Sequence, residues 1–161
     1  MGGEGRTGGS GAPAATSLGV LLLVSALACG QAMPRALVIG EEACDFCKMR
    51  ITDSRFGGQV ILTTGRQIVF DSPECLAGFL AATASTVIAS TWVLDVEHPA
   101  VWVRAESAGF LADASLRGPM GRVTAFASPG AARLAQATLG GTSVSWEAIR
   151  TDSAGLVAGA P

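Results

Sequence analysis

The sequence predicts an α+β fold with mainly antiparallel pairing, arranged as two similar strand–strand–helix halves. Three observations carry this. The apolar runs are short and β-branched, paired across tight turns rather than separated by long helices. Two Ser-Pro pairs, Ser72-Pro73 and Ser128-Pro129, each open an apolar stretch of helical length, with Ser as N-cap and Pro at the first helical position. The corner Phe70-Asp71-Ser72-Pro73 also recurs 56 residues later as Phe126-Ala127-Ser128-Pro129, as an internal duplication would produce.

In chain order, Gln59–Thr64 and Gln67–Phe70 read as a hairpin turned at Gly65-Arg66. The helix after Ser72 takes its apolar side from Cys75, Leu76, Ala77, Phe79 and Leu80, and Val87–Val96 comes next as a strand. The second half opens with Val101–Arg104, continues through Gly109–Leu111 and Gly121–Phe126, and turns at Ser128 into a helix ending at Gly140-Gly141. Thr142–Trp146 closes it in extended form. The expected divisions are a leader at 1–28, a tether at 29–42, halves at 43–98 and 99–150, and a flexible tail at 151–161.

The leader is read from Leu18–Ala28, an uncharged apolar run of 11 residues. A bilayer span needs about 20 residues, so this is a signal-peptide core rather than a membrane helix. It ends at Ala26-Leu27-Ala28-Cys29, which resembles a bacterial lipobox with Ala26 where Leu is most usual. Lipid attachment at Cys29 would hold an exported protein on the outer face of a membrane. A net charge of −2, a pI near 5.3 and the lack of any basic run argue against nucleic-acid binding.

With Cys29 lipidated, Cys44, Cys47 and Cys75 remain, an odd number in an oxidising compartment. The stretch Cys44-Asp45-Phe46-Cys47-Lys48-Met49 is the chemical signal. In an extended segment residues i and i+2 point the same way, so Cys47 and Met49 would offer a thiolate and a thioether to one point. Such soft donors suit Cu(I) and suit Mg²⁺ or Ca²⁺ poorly. Cys44 is a further candidate, as are His98, the sole histidine, and Met120, which sits between Gly and Pro in Gly118-Pro119-Met120-Gly121. Cys75, on the apolar side of the first helix, reads as a buried core thiol. The same residues admit three other readings: a thiol–disulfide couple or a structural disulfide between Cys44 and Cys47, and a structural zinc site completed by Cys75 and His98.

Taken in order, these pieces resemble the NosL family, the copper-binding accessory lipoproteins of nitrous oxide reductase assembly. The resemblance rests on the leader ending at Cys29, Cys44-x-x-Cys47-x-Met49, the hairpin with its Phe70-x-Ser72 corner, Val93-Leu94-Asp95 with Glu97-His98-Pro99, Gly118-Pro119-Met120-Gly121, and Val144-Ser145-Trp146-Glu147. It covers residues 40 to 150. It implies two strand–strand–helix halves, one Cu(I) held through Cys47 and Met49, and no catalysis; Met120 remains the candidate third ligand from its own loop setting. It further implies a membrane-anchored location facing the periplasm or cell exterior, docking on a membrane transporter, and delivery toward the reductase apoprotein. The family's element is usually Cys-Gly-Met, whereas this chain has Cys47-Lys48-Met49, which adds positive charge beside the thiolate.

Overall fold

The computed structural model describes residues 1, 2, 5, 8, 9, 32–119 and 121–152. The leader's apolar run, Cys29, Met120 and residues 153–161 of the expected tail lie outside the described residues. The chain divides into two units, Met1–Gly30 and Gln31–Pro161, and every helix and strand among the described residues belongs to the second.

Its elements are β1 (Gly58–Leu62), β2 (Gln67–Phe70), α1 (Pro73–Ala81), β3 (Ile88–Leu94), β4 (Trp102–Arg104), β5 (Gly109–Ala112), β6 (Val123–Phe126), α2 (Pro129–Leu139), β7 (Thr142–Val144) and α3 (Trp146–Thr151). One sheet has the order β2-β1-β3-β4 and the other β6-β5-β7, with every pairing antiparallel. The duplication is therefore visible in the topology. In each half a hairpin leads into a Ser-Pro-capped helix, and the strand after the helix returns to pair with the hairpin's first strand.

Local chemistry explains the repeated corner. Ser72 and Ser128 are both extended, at φ −154° and −160°, and their hydroxyls accept the N–H of Cys75 and Ala131. Each bond satisfies one of the helix's orphan donors, and Pro at the next position has no N–H to satisfy. The β1–β2 turn closes through Gly65 N–H to Leu62 C=O at 2.8 Å, with Gly65 at φ +83°. The buried apolar residues form two clusters, and each draws on both halves. Phe70, Leu76, Val93 and Phe110 belong to one buried cluster, and Phe56, Leu111 and Phe126 to another.

Three expectations are corrected. Trp102–Arg104, expected to open the second half, pairs with β3 instead. The Asp95–Val101 turn is tight, with His98 N–H on Asp95 C=O and Val101 N–H on His98 C=O, so the chain folds straight back onto β3's open edge. The closing segment is extended only through Val144, because Ser145 caps a further helix, α3, by accepting from Ala148 N–H. Trp146 of α3 stacks on Phe110 at 5.6 Å between ring centroids. Residues 33–42 are docked rather than a free tether. Gln67 donates to Met33 C=O, Gln59 exchanges two hydrogen bonds with the backbone of Arg35, and Leu37 packs on the core.

Candidate metal centre

Two segments meet at the end of β2. The first is a tight hairpin over residues 43–50, closed by an antiparallel bridge between Ala43 and Arg50 and by Cys44 N–H on Met49 C=O at 2.8 Å. Lys48 N–H bonds to Cys44 C=O at 2.9 Å, and Lys48 takes φ +66° to complete the turn. Asp45 N–H bonds to Val69 C=O of β2 and ties the hairpin to the sheet. On the helix side, the Phe46 ring seats against Gly78 of α1 so closely that a Cβ there would lie 2.6 Å from Phe46 Cζ. The second segment is the β2–α1 corner, which presents Asp71 and, in the first turn of α1, Cys75.

The result is a cluster of four donors. The ligand atoms of Cys44, Cys47, Asp71 and Cys75 all lie within 4.8 Å of one another. Cys44, Asp71 and Cys75 are buried, while Cys47 is half-buried and faces the rim. All three thiols are free. Cys47 donates its S–H to Asp71 Oδ2 at 3.4 Å, whereas Asp71 Oδ1 is buried without a hydrogen-bond partner.

The thiols are electrically inequivalent. A hydrogen bond donated by the Cys75 thiol outweighs desolvation and holds the Cys44 thiol down at about 7. Burial pushes Cys47 up to about 11. Cys75, as the donor to Cys44 and buried in apolar surroundings, is raised further.

The placement of the expected site residues is mixed. Cys44 and Cys47 join the cluster. The straight segment expected from Cys47 to Met49 is instead a turn with Lys48 in the left-handed region, so strand alternation does not govern where the two side chains point. Met49 is exposed at 46%. His98 is not among the four: its exposed ring carries Nδ1 2.8 Å from Oδ2 of the buried Asp95 on the Asp95–Val101 turn. Met120 lies outside the described residues. Gly121 N–H reaches Gly118 C=O, and Glu74, next to Cys75, accepts from the N–H groups of Arg122 and Val123 at 2.6 and 2.7 Å.

Sequence reasoning missed Asp71 as a donor; Cys75 is the buried core thiol it expected, and its sulfur also joins the cluster, as the zinc reading allowed. The signal that could have found them is the repeat itself. Where the first corner carries Asp71 and Cys75, the second carries Ala127 and Ala131.

Fold and site together define a duplicated antiparallel α+β protein that, among the described residues, carries a thiol-rich cluster of candidate metal ligands on its first half. The family model described as NosL matches residues 36–154, and the chain belongs to the NosL family. It shares its fold with the crystal structure of the copper chaperone NosL from Shewanella denitrificans, at a TM-score of 0.61 and 20% identity over 72% of this chain and 94% of that one. No curated protein gave a significant match. No helix among the described residues is long and apolar enough to cross a membrane.

Proposed function

We propose that this protein is an exported, lipid-anchored Cu(I) chaperone that binds copper and hands it on for maturation of a copper enzyme, nitrous oxide reductase in the first place. The observation that supports it best is the convergence of three free thiols at a corner whose second copy, in the same fold, has none. A solved structure of the same fold is titled a copper chaperone.

Cu(I) is the cargo. Cys47, the thiol nearest the rim, loses its proton to become the first ligand, as metal binding to a thiol requires. Met49 adds a neutral thioether at the surface, which suits a soft monovalent ion without adding charge. A third position is filled by the Cys44 thiolate, by Met120, or by a ligand of the acceptor. A rim thiol is the right leaving ligand for transfer, because an incoming donor reaches it before the buried ones. Cys29 supplies the anchor, and a membrane transporter of the maturation system is the docking partner this reading implies.

Titration of the reduced protein with Cu(I) against a competing chelator tests the reading. One tightly held ion is expected, lost in Cys47→Ala and weakened in Met49→Ala. Tight binding that survives Cys47→Ala overturns it. Disulfide-exchange activity of a Cys44–Cys47 couple without dependence on Met49 would point to the thiol–disulfide reading instead.

A further inference from the structure

Asp71 is difficult to explain as part of the fold. Its side chain is 1% exposed, one oxygen accepts only a thiol hydrogen bond from Cys47, and the other has no partner. Burying an unpaired carboxylate oxygen costs free energy, and native structures rarely leave one so. The second corner shows that the fold does not require it. There the same strand, cap, proline and helix form with Ala127 in its place and Ala131 in place of Cys75. Glu74, also buried and also with one oxygen unpaired, has a structural reason: its Oε1 accepts from the backbone of Arg122 and Val123 and so ties α1 to β6. Asp71 has no such tie.

Cu(I) does not account for Asp71 either. A carboxylate is a hard donor, and a soft monovalent ion is satisfied by two or three sulfurs. Four donors in a closed set, three thiolates and one carboxylate, suit a borderline divalent ion that takes tetrahedral sites. Four ligands about 2.2 Å from one centre at tetrahedral angles stand roughly 3.6 Å apart. The four donor atoms already lie within 4.8 Å of one another, so closing on an ion asks for no more than about 1.2 Å of contraction for any pair. The zinc reading of the sequence takes His98 as the fourth ligand; the structure places Asp71 there instead.

We propose that Cys44, Cys47, Asp71 and Cys75 form a closed tetrahedral site for a zinc-class divalent ion, with Asp71 as the ligand that selects it over Cu(I). The two ions share Cys47, so they exclude one another, and each thiol that ligates releases its proton to solvent. The site shares Cys47 with the copper reading but does not depend on it.

Co²⁺ added to the reduced full-length protein is the probe, with Zn²⁺ in competition. The wild type is expected to take one Co²⁺ with the visible bands of tetrahedral thiolate coordination, bleached by one equivalent of Zn²⁺ or of Cu(I). Asp71→Asn and Asp71→Ala, the latter copying the residue of the second corner, are expected to lose at least about tenfold in Co²⁺ and Zn²⁺ affinity and to shift the visible bands while leaving Cu(I) affinity unchanged. Octahedral Co²⁺ spectra in the wild type, wild-type Co²⁺ affinity in both variants, or equal loss of both metals would overturn the proposal. A wild type that shows the tetrahedral bands but holds no Cu(I) sinks the copper reading and leaves this one standing.

Discussion

Gly78→Ala tests how the Cys44–Cys47 loop is held to the helix. In an exposed helix interior the change is worth about 1 kcal/mol in favour of alanine. Here the new Cβ would stand 2.6, 2.9 and 3.0 Å from Phe46 Cζ, Cε1 and Cε2. Carbon atoms sit best at about 3.5–4.0 Å, so the ring must retreat by about 1 Å and draw the loop with it. Overpacking of this kind costs about 1–3 kcal/mol. Phe46 is 37% exposed and can yield outward, which places the cost near about 2 kcal/mol and the net loss near about 1 kcal/mol. Thermal unfolding should show a fall of about 4 °C. In a Phe46→Ala background the obstacle is gone, and the same change should stabilise by about 1 kcal/mol, a coupling of about 2 kcal/mol. If Gly78→Ala stabilises equally in both backgrounds, the ring is not seated on the helix and the loop's placement over α1 is wrong.

The site's surroundings set three further expectations. Burial raises the Glu74 carboxyl above the ordinary 4.5, so its contribution to stability is present below that value and lost as pH rises through the folded one; Glu74→Gln should flatten this dependence in urea titrations across pH. Cys44, held at about 7 against an ordinary 9.0, contributes stability that is present above 9.0 and lost as pH falls through about 7, and its thiolate absorbance should titrate near there; Cys75→Ala removes the hydrogen-bond donor and should move that titration up, while Cys75→Ser keeps a donor and should move it less. Lys48 at φ +66° carries a left-handed cost of about 1–2 kcal/mol that glycine would not, so Lys48→Gly should stabilise by about 0.5 kcal/mol after the entropy of the added glycine, read by chemical denaturation.

That last position shows where sequence and structure part. The hairpin, both capped helices and the repeat were legible because each rests on local chemistry: β-branched runs around Gly65, and Ser-Pro at two corners. The allegiance of Trp102–Arg104 was not, since strand pairing is decided by which edge lies open after a turn, and no local signal says so. Nor was α3, whose Ser145 cap comes directly after a strand and whose six residues owe their place to Trp146 stacking on Phe110. At the site, Cys44 and Cys47 announced themselves by spacing. Asp71 and Cys75 did not, because their relation to the hairpin runs through Asp45 N–H on Val69 C=O and through Phe46 on Gly78, contacts between segments far apart in sequence. The same turn undid the straight-segment geometry, since a lysine in the left-handed region cannot be foreseen where glycine is the usual occupant.

The most direct measurement is X-ray absorption at the copper edge of the Cu(I)-loaded protein, alongside Cys47→Ala. The account predicts a first shell of sulfur in the wild type and its loss in the variant. A shell of nitrogen or oxygen, or an unchanged sulfur shell without Cys47, would contradict it.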